Sequence, residues 1–543
     1  MKEQKIILGQ EVRDKLLDGA KLLADVVTST LGPSGHSVIL DLDQSNPIST
    51  KDGVTVAKAV HSDDPVVNTG VQMVKQASTK TGDEAGDGTT TATLLTYSIL
   101  KHGAVKEGYN SVEVKKGIDA AVQDITKSIK DSISKPVTGI EQLRQVATIS
   151  GNGDEEIGKL VSKALDKAGT EGAVTVEESK TGESYLEIVE GIQFDRGFKS
   201  PYFCTDENTM TAVLKDVLIL MVDKRLDSIK ELLPALDCAL QSEKALLLIA
   251  EDFGTEVLST LLLNKARTGF RICAVKAPEF GDRRKEVLAD IACLTGGTVV
   301  SQEKGMKLEK FEPEWFGEAD KVTASRDKTT IIGAKGAQED IEERIGSIQS
   351  LIENAQSLYD KEQYQARLAR MTGGVAIIFV GGHTELELKE RKDRVDDALR
   401  ATKAALEEGV CPGGGVALAR ALMELPRDTE RSADFRAGYD AVCKACIEPF
   451  CQILRNVGYS DGKITTMCQD LTHKTNNWTG WNIKAEEWND MYALGIIDPT
   501  KVIRLALKNA ASVAGTMLTS EAMVINIPDK DEQKQQMIPG GMY

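Results

Sequence analysis

Long hydrophobic runs are missing from this sequence. Among its 543 residues, apolar runs such as 217–222 and 375–380 are only strand-sized, far below the roughly 18 residues that a membrane span needs. The start, MKEQKIILGQEVRD, does not read as a secretion signal, because Glu11 and Asp14 arrive before an extended apolar core can form. Positive charge is also short, with 66 Lys plus Arg against 83 Asp plus Glu, a net charge of −17 and a pI near 5.0. That balance argues against a protein that coats nucleic acid or anionic lipid through bulk charge. Cysteines are few and odd in number, nine in all, dispersed through apolar stretches. They fit reduced thiols in a cytosol and argue against a disulfide scaffold. Cys443 and Cys446 form a CxxC, with Cys451, Cys468 and His473 downstream, which could sketch a zinc site. Residues 435–454 read as one helix with positions 443 and 446 on one face, so small core side chains are the favoured reading. Tandem repeats and low-complexity tracts are missing too.

What is present is enough apolar material, 41% of residues, for several cores. The length suggests about three or four domains. Three zones follow one another. The first, to about residue 134, is helix-rich, with Val12, Leu16, Leu17, Ala20, Leu23 and Ala24 at helical spacing and a second apolar-faced pattern over 70–80. In the middle zone, 190–373, β-rich runs at 217–222, 245–250 and 271–275 alternate with helical segments at 228–241 and 255–266. That alternation predicts an α/β domain with a mostly parallel sheet. From 384 to 408 a charged amphipathic helix follows, and 413–521 is again helical. A helical zone, an inserted α/β zone and a returning helical zone imply a discontinuous layout, with the two chain ends sharing a domain.

The most informative stretch is Gly86-Asp87-Gly88-Thr89-Thr90-Thr91-Ala92-Thr93. Glycines let the backbone bend, and the threonines open a helix whose first N–H groups lack partners, which is an anion site. Asp87 would repel a phosphate unless a cation such as Mg²⁺ lay between them. The GxxxxGK[ST] loop and its lysine are absent. A plain Thr-capped helix after a glycine turn is the competing reading. Thr30-Leu31-Gly32-Pro33-Ser34-Gly35 and Gly413-Gly414-Gly415 offer further close approaches of backbone to a ligand. Lys51-Asp52-Gly53 between β-formers reads as a hairpin turn, or else as a second carboxylate near the metal. Asp397 reads locally as a solvated carboxylate paired with Arg394 or Arg400. In the middle zone, Leu261-Leu262-Leu263 cannot all point inward, so exposed apolar area, the mark of a binding surface, is expected there.

Taken together, TLGPSG, TKDG, GDGTTTAT, GIQFDRG at 191–197, KAPEFGDRR at 276–284, DALRATKAALEEG and GIIDP at 495–499 occur in the order found in the GroEL-type group I chaperonins. The chain resembles that family up to about Pro528. The resemblance implies an α/β and α multidomain fold. A helical equatorial ATPase domain would take 1–134 and 409–526, a small α/β intermediate domain 135–189 and 374–408, and an α/β apical domain 190–373, with a flexible tail at 527–543. It implies ATP-driven protein folding in homo-oligomeric rings, typically of seven subunits. ATP and Mg²⁺ are the implied cofactors, with K⁺ as an optional companion. The implied partners are non-native polypeptides and a lid co-chaperonin, with no nucleic acid and no membrane, in a bacterial or infected-host cytosol. Mapped by motif, Thr30, Leu31, Gly32, Pro33 and Lys51 would contact nucleotide. Asp87 would hold Mg²⁺, and Gly88, Thr89, Thr90 and Thr91 would cradle phosphates. Asp52 and Asp397 would position or activate the attacking water, Asp397 arriving as the intermediate domain swings down. Gly415, Asn482, Ile496 and Asp498 would surround adenosine. Tyr202, Phe203, Leu233, Leu236, Leu258, Leu262 and Leu263 would hold clients.

The sequence departs from the family's usual pattern at several places. Ser34 and His36 replace the two basic residues of LGPKGRN, Ile483-Lys484 follows Asn482 in place of Ala-Ala, and Cys411-Pro412 precedes the glycine triplet. Residues 457–461 differ from the Gly-Glu-Glu-Pro stretch near the ring–ring contact, and a single Gly540-Gly541-Met542 replaces a long Gly-Gly-Met tail. These changes bear on nucleotide affinity, hinge stiffness and ring pairing, and suggest a divergent member, either bacteriophage-encoded or a secondary paralogue. An ATP-independent holdase is the alternative function.

Overall fold

The computed structural model describes residues 4–41, 47–104, 109–169, 173–179, 182–206, 210–355, 357–382, 384–425 and 431–526. The expected tail at 527–543 lies outside them. The chain forms two compact units, residues 1–162 with 393–543, and residues 163–392. Its two ends therefore share a unit. The segments expected to form an intermediate domain are divided between the two.

The first unit opens with β1 (Gln4–Leu8) and α1 (Gln10–Val27). Val12, Leu16, Ala20, Leu23, Ala24 and Val27 of α1 are buried at helical spacing. The antiparallel pair β2 (Val38–Leu40) and β3 (Ile48–Thr50) follows. The Asp52-Gly53 hairpin reading fails at this point. The Asp52 carboxylate accepts the N–H of Val54 at 3.1 Å and of Thr55 at 2.8 Å, and so starts α2 (Gly53–Ala59). A good N-cap outweighs the β preference of Val-Thr-Val. Then come α3 (Pro65–Ala85), α4 (Thr89–Gly103), α5 (Ser111–Ser128) and α6 (Ile140–Ser150), and along α7 (Glu155–Ala168) the chain passes from the first unit into the second.

The second unit holds β4 (Ala173–Glu178), β5 (Tyr185–Val189), β6 (Gly191–Phe194), β7 (Ala212–Val222), α8 (Ile229–Gln241), β8 (Ala245–Ala250), α9 (Thr255–Thr268), β9 (Ile272–Lys276) and α10 (Gly281–Thr295). It continues through β10 (Val299–Val300), β11 (Gly317–Ala324), β12 (Thr329–Ala334), α11 (Gln338–Asn354), α12 (Leu358–Thr372) and β13 (Val375–Val380). The main sheet runs β6-β12-β11-β7-β8-β9, with β10 also beside β7. It is evenly mixed rather than mostly parallel. The crossovers through α8 and α9 make β7, β8 and β9 parallel, whereas the short turn between β11 and β12 makes that side antiparallel. A small sheet, β4-β13-β5, stands apart from it.

The chain leaves this unit along α13 (Glu385–Glu408) and returns to the first through β14 (Val410–Pro412), α14 (Val416–Ala421), α15 (Ala433–Ala445), α16 (Glu448–Val457) and α17 (Asp461–His473). It ends with the hairpin β15 (Thr479–Asn482) and β16 (Glu487–Asp490), then β17 (Ile497–Pro499), α18 (Thr500–Thr519) and β18 (Ala522–Asn526). β17 pairs with β14, and β18 with β1. The single helix expected over 435–454 is two. It breaks at Cys446-Ile447, and Pro449 in the first turn of α16 suits a new start. The cysteines divide with it: Cys446 joins the main core, whereas Cys451 packs in a second cluster with Cys468 at its edge.

α5 crosses α15 at two facing glycines. A Cβ on Gly438 would lie 1.9 Å from the Val114 carbonyl oxygen, and one on Gly117 equally close to that of Phe435. Backbone cannot give way as a side-chain tip can, so Gly438→Ala should cost about 3 kcal/mol. A lowered thermal midpoint checks this.

Candidate active site

GDGTTTAT forms the floor of the site. Gly86 and Gly88 both hold positive φ, +79° and +82°, which brings Asp87 round on a tight turn and opens α4 directly after it. A side chain at either glycine would also collide: a Cβ would lie 2.0 Å from the Arg400 Cβ at Gly86, and 2.7 Å from a Val502 methyl at Gly88. Gly88 is the N-cap of α4 and supplies no side-chain cap. The first amides of this helix are therefore available to an anion. The α2 start abuts the same place, since a Cβ on Gly53 would lie 2.1 Å from the Thr90 hydroxyl. Thr89 is buried, with Thr90 and Thr91 half-buried beside it.

Four carboxylates gather around this helix start, all within the first unit. Asp52 caps α2. Burial raises the Asp87 pKa, against the pull of hydrogen bonds from the Gly88 N–H and the Ser150 side chain, and the Asp52 charge adds to the rise. Asp397 is not the solvated partner of an arginine that its local sequence suggests. Burial first, then the charges of Asp87 and Asp52, push its pKa up to about 8, and Arg400 offsets only part. Asp498, on β17, is pushed up to about 7 by burial and by Asp87. Carboxylates that repel one another call for a cation, and uncapped helix amides call for an anion. A metal–phosphate pair fits both demands. Among the described residues no three metal-ligating side chains converge, so phosphate oxygens would have to complete the shell of a metal held at Asp87.

These shifts have a pH consequence for the nucleotide-free protein. Folded Asp397 and Asp498 keep protons that the unfolded chain releases near the ordinary carboxylate range. Their contribution to stability thus falls as pH rises from that range through about 7 to 8. The thermal midpoint should drop between about pH 6 and pH 8.5, and drop less in Asp397→Asn. Equal slopes in the two proteins would contradict these shifts.

The other expected contacts lie around this floor. The first loop begins as a 3-10 turn, Thr28–Thr30, against α4. It closes with Gly35 N–H on the Gly32 carbonyl at 2.9 Å and His36 N–H on that of Ser29 at 2.8 Å. Leu31 and Gly32 are half-buried, whereas Pro33 and Lys51 are exposed. On the other side, Gly413 N–H donates to the Ile496 carbonyl at 2.9 Å, and a Cβ on Gly413 would lie 3.2 Å from the Asp498 carboxylate. Gly415, at φ +73°, opens α14. Asn482 commits its side-chain oxygen to the N–H groups of Lys484, at 3.0 Å, and Ala485, at 3.3 Å. That turn places the Lys484 amine in solvent.

Two supporting residues escape a reading of motifs. The Asn456 amide of α16 donates to the carbonyls of Thr28 at 2.9 Å and Leu31 at 2.8 Å, pinning the first loop. Arg420 of α14 is fully buried and donates to the carbonyls of Lys474 at 2.6 Å and Thr479 at 2.9 Å. Burial lowers its pKa to about 10. It ties the glycine triplet to the hairpin that carries Asn482. Neither has a local signature, because each works through carbonyls distant in sequence.

The sequence model of the TCP-1/cpn60 chaperonin family matches residues 23–528, nearly the whole chain. The protein belongs to the TCP-1/cpn60 chaperonin family. Members of this chaperonin family are ATPases. Among solved structures the chain is similar to the chaperonin gp146 from the bacteriophage EL 2 (Pseudomonas aeruginosa), crystallised in the presence of ATP-BeFx. The two are 24% identical, with a TM-score of 0.70 over 96% of this chain and 99% of that one. The chaperonin fold therefore extends across both units. No helix among the described residues is long and apolar enough to cross a membrane.

The client surface expected of a chaperonin needs correction. Phe203 is 0% exposed and Leu236 only 4%, both inside the core of the second unit. They support the sheet and offer nothing to a client. Tyr202, Leu233 and Leu263 are exposed, and Leu258 and Leu262 are half-buried. Leu261 faces inward and Leu263 outward, as a run of three leucines requires. α8 and α9 pack together, and Lys265 of α9 donates to the Tyr202 and Cys204 carbonyls at 2.8 and 2.9 Å, holding Tyr202 close to them.

Proposed function

We propose that the chain is an ATP-hydrolysing chaperonin of the group I type, a divergent, phage-like member that captures non-native polypeptides and folds them in a homo-oligomeric ring. The observation that carries this reading is the mutual charge repulsion of Asp52, Asp87, Asp397 and Asp498 beside the uncapped start of α4. The group I motifs and the likeness to a phage chaperonin crystallised with an ATP analogue support it. Thr89, Thr90 and Thr91 bind phosphate oxygens through hydroxyls and helix amides. Mg²⁺, held by Asp87 with phosphate oxygens, would neutralise charge on the transferred group. Asp52, fixed by its capping bonds, orients the attacking water, and Asp397 accepts its proton. Asp498 and Asn482 hold the adenosine side with Gly415 and Ile496, while Leu31 and Gly32 close over it. The charges of Asp87 and Asp52 help to raise the Asp397 pKa, which supports a role for Asp397 beside them.

Client capture rests on Tyr202, Leu233 and Leu263, with Leu258 and Leu262 beneath them. Such a surface binds exposed apolar segments without reading their sequence. ATP then favours the state that withdraws it. Leu233→Ser with Leu263→Ser should abolish capture of an unfolded client and leave ATP turnover intact. Leu236→Ser should instead destabilise the second unit by about 3 kcal/mol, read as a lowered thermal midpoint. A refolding assay with and without ATP, and with and without a lid protein, tests the whole reading. Client release that does not depend on ATP would replace it with the holdase.

A further inference from the structure

The sulfur atoms of Cys451 and Cys468 lie 3.4 Å apart, across the contact between α16 and α17. Both belong to the zinc sketch drawn from the sequence, but among the described residues no three ligating side chains come together, and Cys446 lies in the main core. Cys451 is buried, and Cys468 keeps partial access to solvent. We propose that Cys451 and Cys468 are a reversible oxidation site, closing to a disulfide under a hydroperoxide and coupling the redox state to the first nucleotide loop through α16. The coupling has a specific route. Five residues beyond Cys451, the Asn456 amide holds the Thr28 and Leu31 carbonyls. Between them, Ile453 packs on Gly32, where a Cβ would lie 3.1 Å from its nearest side-chain carbon. A bond of about 2.05 Å between the sulfurs would draw α16 toward α17. The clamp on the loop would move with it.

The chemistry assigns different parts to the two thiols. Either thiol can donate its S–H to the other, but Cys468 is the one with access to solvent and so the one a hydroperoxide reaches. The Cys468 thiolate attacks one oxygen of the hydroperoxide, the O–O bond breaks, and the other oxygen leaves and takes up a proton. The Cys468 sulfenic acid so formed is attacked by the Cys451 sulfur. The S–O bond breaks, the S–S bond forms and water departs with the Cys451 proton. With hydrogen peroxide, two thiols lose two electrons and two waters form. A dithiol reductant reverses the change by thiol–disulfide exchange.

The experiment treats the full-length protein with hydrogen peroxide, maps its peptides without reduction, and follows ATP turnover before and after dithiothreitol. The expected result is a linked peptide joining Cys451 to Cys468, with a loss of turnover that dithiothreitol restores. Cys468→Ser should keep its basal turnover and resist the peroxide. A Cys468 that goes on to sulfinic acid without linking, or a link formed elsewhere, overturns the site. A link that forms with turnover unchanged overturns the coupling. The coupling rests on the ATPase reading, but the linked peptide does not. A reduced wild type without turnover would refute that reading, while the peptide map would still decide on the dithiol.

Discussion

Asp397→Ala is expected to lower ATP turnover by about two to four orders of magnitude while nucleotide and client still bind, as loss of a positioned general base does. The reason lies in what faces this carboxylate. It sits among the negative charges of Asp87 and Asp52, which Arg400 offsets only in part, and its pKa is near 8. In the nucleotide-free protein such a group is mostly protonated at neutral pH, and a cation bound beside Asp87 would offset the neighbouring charges and free it to act as a base. Binding should survive because the phosphate cradle, built from the start of α4, does not include Asp397. Single-turnover measurements with saturating ATP, beside a fluorescence titration that uses the tryptophans of β15 and β16, separate the two effects. Unchanged hydrolysis would refute the assignment, and lost binding would make Asp397 part of the cradle.

How far this site is legible in the sequence depends on whether a residue acts locally. Gly86, Gly88 and the threonines are legible, because a tight turn into a helix needs those residue types in that order. Asp52 misleads, because Val-Thr-Val after it favours a strand until the carboxylate is seen capping two amides. Asp397 has no local signal of function, since Arg394 and Arg400 flank it as on any solvated helix. Only the family resemblance places it at the phosphates. Asn456 and Arg420 are invisible for a related reason, as their partners are backbone carbonyls supplied by the fold. The same limit appears in the second unit. Apolar side chains of α8 look alike in sequence, yet Leu233 is exposed and Leu236 is buried, and only the packing on the sheet separates them.

Asp87→Asn should act in opposite directions on activity and on stability. Turnover should fall by about two to three orders of magnitude, because an amide cannot supply the charge that holds a metal against phosphate. The nucleotide-free protein should become more stable at neutral pH. Burial and the Asp52 charge both disfavour the Asp87 carboxylate, and its own charge raises the pKa of Asp397 and Asp498. An asparagine oxygen can still accept the Gly88 N–H, so the turn keeps its bond while the repulsion at the centre of the site is removed. A higher thermal midpoint without nucleotide, together with little or no further gain when Mg²⁺ and ATP are added, is the expected pair of results. A lower midpoint would make Asp87 a structural carboxylate that the turn depends on. The wild type should behave in the opposite way, gaining stability from Mg²⁺ and ATP by mass action. The instability is built in where the metal and phosphates would bind, so the nucleotide-free site holds together least well at the point where binding energy is delivered.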